Sequence, residues 1–261
     1  DHAASGGGEL AFAAILFAFQ IYGDFSGYSD IAIGAARLFG ISLMRNFAYP
    51  YFARDIAEFW RRWHISLSTW FRDYLYIPLG GSQGSMSNRV RNTFIIFLVS
   101  GFWHGANYTF VAWGALHALF FLPLLLQGTN RKRLSAPEGW LPSPGDALRM
   151  IITFALVDLA WIFFRAPDLS TALEIVQRIP TGLTAHPGQL ALLARDLLTR
   201  GPMPFVWAML AVEWLQRSHA HGLAAIERTL PRSIRWAVYY ALAIASLVHT
   251  GREVSFIYFQ F

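Results

Sequence analysis

The sequence predicts an all-α fold, a polytopic bundle of transmembrane helices with amphipathic helices at the membrane interface. The first observation is composition: 55% of the 261 residues are hydrophobic and 14% are charged, and the mean hydropathy is +0.37. A soluble domain carries about 25% charged residues. The second is a series of apolar runs of spanning or near-spanning length, separated by polar loops. The third is the 16% aromatic content, which is typical of membrane interfaces.

The N-terminal apolar stretch covers residues 9–22, shorter than the roughly 20 residues that a spanning helix needs. It runs into a Gly- and Asp-rich segment and then a second apolar stretch. Asp24 and Asp30 in that segment should face protein or water rather than lipid. Gly23 and Gly27 have the spacing that allows two helices to approach closely.

Residues 54–76 predict one amphipathic helix that lies in the interface plane. Apolar residues recur at three- and four-residue spacing, namely Ile56, Phe59, Trp60, Trp63, Leu67, Trp70, Phe71 and Tyr74. The charged residues fall largely on the other side, toward headgroups: Arg54, Glu58, Arg61, Arg62 and Arg72. His64 lies at the edge of the apolar stripe, where it should face protein or a cavity.

The run at residues 93–126 follows a Gly/Ser loop at 78–85 and is too long for one span. As a helix it would measure roughly 50 Å, against a hydrocarbon core of about 30 Å. Either the helix is long and tilted, or it breaks near residues 101–107. A break at depth is tolerated only where it is buried in protein or lines a water-filled cavity. A break would therefore place His104 at the wall of an internal tunnel.

The rest of the chain predicts further membrane segments. The loop at 128–146 contains Arg-Lys-Arg and should be cytoplasmic. Residues 148–164 form a span, and Asp168 or Ser170 caps a short amphipathic helix that ends near Ile179. Two more hydrophobic segments cover residues 203–216 and 234–250.

Charge and cysteine content exclude several classes of function. The net charge of +5 comes from arginines spread among tryptophans and apolar runs, with Lys132 the single lysine. That pattern fits anionic lipid headgroups or an anionic substrate, and argues against nucleic acid. The absence of cysteine removes disulfides, thiolate catalysis and Cys-ligated zinc. No histidine pair has the spacing of a one-helix metal site, and no serine-hydrolase elbow or P-loop is present. We expect no bound metal.

His104 is the strongest candidate for a functional residue, because a titratable side chain inside an apolar run is costly to keep there. An imidazole titrates near neutral pH and serves as a general acid or base. The alternative is a packing histidine that donates to a carbonyl of a neighbouring helix. Gly101 and Gly105 fit either interpretation. For His64, taken alone, the pattern favours an interfacial histidine among arginines over a functional one.

The other polar candidates favour structural roles. On a continuous helix His117 would lie about 220° around the axis from His104, so it should pack. Three more histidines lie near predicted helix ends and should contact solvent or headgroups: His219, His221 and His249. Asp24 and Asp30 could be active-site carboxylates, but such residues more often bond to arginines or helix amides.

Several motifs in order resemble the membrane-bound O-acyltransferase family, above all its bacterial alginate and peptidoglycan O-acetyltransferase branch. They are YGDFSGYSDIA at 22–32, FWRRWHISLSTW at 59–70, FRDYLYIPLGG at 71–81, SGFWHGA at 100–106 and FIYFQF at 256–261. The match is dense over residues 20–117. It implies that His104, in the Trp-His-Gly motif, is the catalytic histidine, and that His64 is the second active-site histidine.

The resemblance also implies the function and its setting. The family's proteins are about twice this length, so we expect residues 1–261 to be the C-terminal catalytic part of a single domain, without its N-terminal spans. The implied reaction moves an acetyl group from a cytoplasmic thioester, acetyl-CoA, toward hydroxyls of an exported polysaccharide. A periplasmic SGNH-type acetyltransferase would be the partner, at a bacterial inner membrane. The alternatives are D-alanyl transfer to teichoic acid and a non-catalytic acyl-transport or scaffold subunit.

Overall fold

All regular secondary structure in the described part of the chain is helical, which confirms the all-α prediction. The computed structural model describes residues 5–132, 139–186, 188–219, 223 and 226–248. The terminal FIYFQF motif, His221 and His249 lie outside these residues. The helices are α1 (Gly7–Leu38), α2 (Ile56–Arg62), α3 (Ile65–Phe71), α4 (Met86–His104), α5 (Tyr108–Leu126), α6 (Pro144–Arg165), α7 (Leu169–Ala185), α8 (Gly188–Thr199), α9 (Met203–Gln216), α10 (Ile226–Thr229) and α11 (Arg232–Val248).

Three helices of the described residues are long and apolar enough to cross a membrane: α1, α5 and α6. The predicted span at 148–164 lies within α6, and the predicted segment at 203–216 coincides with α9. The segment at 234–250 falls on α11 up to its end at residue 248. A short 3₁₀ turn at Pro50–Phe52 and a π-helical turn at Arg72–Tyr76 complete the regular structure of the described part.

The long apolar run does break, and the break lies between α4 and α5. His104 is the last residue of α4, and Asn107 caps α5 by accepting a hydrogen bond from the Thr109 N–H. The side-chain amide of Asn107 also donates to the Pro167 carbonyl, 2.8 Å away, which ties the break to the α6–α7 junction. Asparagine favours such a position because its side chain replaces the missing helical partner.

The two helices on either side of the break pack with their backbones in close contact. A Cβ at Gly101 would lie 2.3 Å from the Phe110 carbonyl oxygen, and one at Gly114 would lie 2.2 Å from that of Phe97. Only glycine fits at either point. Packing between α4 and α5 therefore accounts for Gly101.

The N-terminal region forms one helix rather than two stretches. α1 runs unbroken for 32 residues through the Gly/Asp segment. Its first half packs into the core, whereas Asp24 and Asp30 lie exposed on the second half. A Cβ placed at Gly23 or Gly27 would meet no other described helix within 4 Å, so no described helix makes the predicted close approach there.

The prediction of one amphipathic helix over residues 54–76 is wrong, because the chain turns between α2 and α3. Trp63 is extended and His64 takes the left-handed conformation, with φ 44° and ψ 54°. Trp63 is 3% exposed and lies in the core. Burial of this indole and the hydrogen bonds of Arg62 and Ile65 to residues 46–48 stabilise the turn. Together they offset the helical hydrogen bonds that a continuous helix would have formed.

The prediction that the charged residues of this segment face the headgroups is also wrong for Glu58 and Arg62, which are buried. Glu58 is 1% exposed and Arg62 is 9% exposed. The Glu58 carboxylate binds Arg62 Nη2 at 2.6 Å and Arg54 Nε at 3.0 Å. Asp55 caps α2 through the Glu58 N–H, and Arg54 reaches Asp146 on α6 at 3.7 Å. Neutralisation within this buried network allows charged groups to leave water.

The helix after Pro167 begins where predicted and ends later. The Asp168 carboxylate accepts from the Thr171 N–H and caps α7. The helix continues past Ile179 to Ala185 because it packs on the start of α1. There a Cβ at Gly182 would lie 2.7 Å from the Gly7 backbone nitrogen.

The core is built mainly from aromatic side chains of α1, α2, α5 and α6. Its largest fully buried members are Trp113, Trp161, Phe59 and Phe164. Trp161 lies 5.1 Å from Trp63 and 5.9 Å from Trp113, measured between ring centroids. The core thereby links α2, α5 and α6.

We expect Glu58→Ala to destabilise the protein by about 3–5 kcal/mol, because it leaves two arginines without their shared buried carboxylate. The matched control is Glu174→Ala, which breaks the exposed Glu174–Arg178 pair and should cost about 0–1 kcal/mol. Thermal unfolding of the detergent-solubilised variants measures both. Equal shifts in the unfolding midpoint would contradict the buried network.

We expect Gly101→Ala and Gly114→Ala to disrupt folding, because each new methyl group overlaps a backbone carbonyl of the facing helix. The control is Gly23→Ala, whose Cβ meets open space and whose helix propensity improves by about 1 kcal/mol. The yield of monodisperse protein after solubilisation distinguishes them. Normal yields of both crossing variants would contradict the close contact.

Candidate active site

The two histidines singled out by the sequence lie close together in the structure. His64 occupies the junction of α2 and α3, and His104 ends α4. The Trp103 ring is a common neighbour of both, 6.4 Å from the His64 ring and 5.0 Å from the His104 ring. Packing thus unites side chains that are forty positions apart in the chain.

The His104 ring lies in an aromatic enclosure. Trp113 of α5 and Phe164 of α6 contact it edge to face, at 5.2 and 5.1 Å between centroids. Sequence reasoning missed both residues. No local signal separates them from the many other core aromatics of a chain with 22 phenylalanines and 10 tryptophans.

His64 is buried against α1. Its ring meets Phe25 edge to face at 4.7 Å, and the residue is 9% exposed. The prediction that it faces protein or a cavity is confirmed. Burial lowers the pKa of His64 to about 4, so its imidazole is neutral at neutral pH.

His117 is a packing residue, as predicted. It is fully buried, and its Nδ1 accepts a hydrogen bond from Trp60 Nε1 at 3.2 Å. His117 and His104 do not lie on one continuous helix, because the break separates α4 from α5, so the predicted offset of about 220° does not apply. Trp113 contacts both rings, at 5.2 Å from His104 and 4.9 Å from His117.

Three other polar candidates lie on α1 or just after α9. Asp24 and Asp30 are exposed on α1, whereas Phe25 and Ser29 of the same motif face the His64 segment. His219 follows the end of α9, as predicted for a helix end. Among the described residues, no group of three or more His, Cys, Asp or Glu side chains could hold a metal ion.

A cavity of about 600 Å³ lies near the histidine pair, although neither histidine lines it. Ser100, one turn before His104, and Ile65, next to His64, form part of its wall. Its other lining residues come from α2 to α5 and the adjoining loops: Ala57, Trp60, Arg61, Leu67, Ser68, Thr69, Phe71, Arg72, Tyr76, Ser82, Thr93, Ile96, Phe97, Phe121, Asn130 and Arg131. The cavity therefore combines an aromatic and aliphatic wall with three guanidinium groups.

Two hydrogen bonds join the loops that line this cavity. Arg131 Nη2 donates to Ser82 Oγ at 2.9 Å, and Arg61 Nη1 donates to the Asn130 carbonyl at 2.9 Å. Arg131 belongs to the loop predicted to be cytoplasmic. Asn92 of α4 fixes the facing Gly-rich loop by donating to two carbonyls, those of Leu79 and Gly81.

Comparison with known proteins shows a similarity that includes the histidine motifs at 59–70 and 100–106 and extends beyond them. The model of MBOAT, the membrane-bound O-acyltransferase family, matches residues 10–154. A probable alginate O-acetylase of Pseudomonas aeruginosa is 47% identical over 165 residues, which cover 63% of this chain and 30% of that protein. A peptidoglycan O-acetyltransferase of Helicobacter pylori is 43% identical over 166 residues, which cover 63% of this chain and 30% of that protein.

A teichoic acid D-alanyltransferase of Streptococcus thermophilus is 36% identical over 165 residues, covering 57% of this chain and 39% of that protein. The chain thus spans about a third of the length of the curated relatives that it matches. The family model alone covers more than half of the chain and includes both histidines and the break between α4 and α5. The chain belongs to the membrane-bound O-acyltransferase family.

Proposed function

We propose that this chain carries the catalytic part of a membrane O-acetyltransferase, with His104 as the catalytic base and His64 as the second active-site histidine. The observation that carries the proposal is that both imidazoles approach the same ring, Trp103, next to the interruption between α4 and α5. Interrupted helices at membrane depth occur where backbone is buried or lines a cavity. Family membership supplies the reaction class.

The proposed reaction transfers an acetyl group from a thioester to a hydroxyl. Neutral His104 accepts the hydroxyl proton as the oxygen attacks the thioester carbonyl. The tetrahedral intermediate then expels the thiolate, which takes the proton back from the imidazolium. Atoms and charge balance, because an ester and a free thiol replace a thioester and an alcohol. His64, neutral at working pH, orients a reactant or stabilises developing charge through its N–H.

Acetyl-CoA is the proposed donor, and the cavity near the histidines is its proposed entry. Its three guanidinium groups, from Arg61, Arg72 and Arg131, suit the phosphates of a coenzyme. Its apolar wall suits the pantetheine arm, and we infer that the thioester passes Ser100, one helical turn before His104, on its way to the imidazole. The Arg-Lys-Arg sequence of the loop that contains Arg131 supports a cytoplasmic mouth, by the positive-inside rule.

The proposed acceptor is a hydroxyl of an exported polysaccharide, at a bacterial inner membrane. The relatives named for alginate and peptidoglycan acetylation support this class, with identities of 47% and 43%. A periplasmic SGNH-type acetyltransferase is the proposed partner that completes the transfer. D-alanyl transfer to teichoic acid is the less supported alternative, because the corresponding relative is 36% identical.

We expect His104→Ala to abolish O-acetylation and His64→Ala to lower it by about 10²–10⁴-fold, because each removes an imidazole from the reacting centre. The variants are placed in the chromosomal gene of the native host, and acetate released from the surface polymer by mild alkali is measured. The control is His186→Ala, an exposed histidine at the end of α7. Full acetylation by the His104 variant at normal protein level would refute its catalytic role.

An assay of the purified protein distinguishes a catalytic role from a transport or scaffold role. We expect thiol release from acetyl-CoA by the wild type and none by His104→Ala. Acetyl flux across proteoliposomes without thioester cleavage would favour the non-catalytic alternative.

We expect Arg72→Gln combined with Arg131→Gln to raise the KM for acetyl-CoA at least tenfold, since each lost charged hydrogen bond is worth about 1.5–3 kcal/mol. The kcat should change little, because neither residue lies at the reacting atoms. Arg195→Gln, an exposed arginine of α8, is the charge-matched control. An unchanged KM in the double variant would exclude this cavity as the donor site.

A further inference from the structure

His64 lies in a backbone conformation that its surroundings must hold in place. Its φ is 44° and its ψ is 54°, in the left-handed region that residues other than glycine rarely adopt. In the described residues, the other non-glycine position with positive φ is Tyr49, at 56°. Such conformations persist where neighbouring contacts determine them, and they concentrate at functional sites.

His64 also occupies the N-cap position of α3 without acting as its cap. A cap residue normally accepts a hydrogen bond from the second or third amide of the helix through its own side chain. The His64 side chain forms no such bond. The bond is supplied instead by Asn46, whose Oδ1 accepts from the Ser66 N–H at 3.2 Å and from the Ser66 hydroxyl.

Backbone groups of Asn46 and Ala48 form hydrogen bonds with the chain on both sides of His64. The Asn46 carbonyl accepts from the Ile65 N–H at 2.9 Å, just after the histidine. The Ala48 N–H donates to the Arg62 carbonyl at 2.9 Å, two residues before it. The turn therefore has fixed hydrogen-bond partners at its entrance and its exit.

The same asparagine joins this turn to the wall that His64 packs against. Asn46 Nδ2 donates to Ser29 Oγ of α1 at 3.4 Å. One turn earlier on α1, Phe25 contacts the His64 ring at 4.7 Å. Asn46 thus fixes both the backbone under the imidazole and the helix that carries its aromatic neighbour.

We propose that Asn46 is a positioning residue for His64: it caps α3 in place of the histidine, so that the imidazole is directed to Phe25 and Trp103 instead of the helix amides. This inference rests on the proposed function for the role of His64 in turnover. Asn46 touches neither reactant.

The first test compares Asn46→Ala with Asn46→Asp in the purified enzyme. Aspartate keeps the acceptor that caps α3, and asparagine and aspartate are equivalent caps. We expect Asn46→Ala to lower kcat by about 10- to 100-fold, as misplacement of a catalytic group by about 1 Å does, with KM for acetyl-CoA within about threefold. Asn46→Asp should retain kcat within about threefold.

A second N-cap residue, Asp168 of α7, provides the control for a loss of stability alone. Asp168→Ala removes the N-cap of α7 and should lower the thermal midpoint as Asn46→Ala does, with kcat within about twofold of wild type. If Asp168→Ala and Asn46→Ala lower kcat equally, Asn46 is only a structural cap and the proposal fails.

The second test does not depend on activity. The chain contains no cysteine, so His64→Cys gives a single thiol at the position of interest. We expect Asn46→Ala to raise the rate of maleimide labelling at position 64 at least fivefold, because the released turn exposes the buried side chain. His186→Cys, exposed in the wild type, should label at the same rate with or without Asn46→Ala.

The two readouts separate this inference from the proposed function. Unchanged labelling at position 64, or unchanged kcat in Asn46→Ala where His64→Ala is impaired, would overturn the role of Asn46. Faster labelling together with no thioester turnover by the wild type would support the positioning of side chain 64 and refute the proposed function alone.

Discussion

Backbone hydrogen bonding at two interruptions of helical structure is the constraint on which the site depends. A polar backbone group in an apolar environment must find a partner within the protein. His104 ends α4 before one interruption, where Asn107 caps α5 and donates to the Pro167 carbonyl. His64 lies in the other, where Asn46 caps α3. In both places an asparagine supplies hydrogen bonds that the interrupted helix lacks. His104 and His64 therefore do not serve as the caps of α5 and α3.

Charge neutralisation holds the second interruption in position. Glu58 is shared by Arg54 and Arg62 at 3.0 and 2.6 Å, and Arg54 also reaches Asp146 of α6. The Arg62 backbone carbonyl then pairs with the 46–48 segment. A buried ion pair is costly to form but strongly destabilising to break. Its effect here is geometric, because it fixes the end of α2 immediately before His64.

Glycine spacing explains how the first interruption is stabilised. Because Gly101 and Gly114 allow the backbones of α4 and α5 to touch, the two helices return against each other instead of continuing as one. The α4–α5 pair then places Trp113 beside His104, and α6 adds Phe164. The enclosure around the imidazole follows from packing of these helices, not from the sequence next to it.

The sequence by itself determined the features that depend on composition and local chemistry. These are the all-α membrane fold, the span within α6 and the candidacy of both histidines. The break after His104 and the cap at Asp168 were each one of two alternatives that the sequence left open, and the structure decided between them. Hydropathy, apolar run length and capping residues act over one or two helical turns, so each can be read locally. The tertiary structure alone decided that α2 and α3 are separate, that Glu58 and Arg62 are buried, and that the His64 and His104 rings both approach Trp103. Periodicity assigns a face to each charge, but long-range partners such as Asn46 and Arg54 determine which backbone bends and which charges leave water.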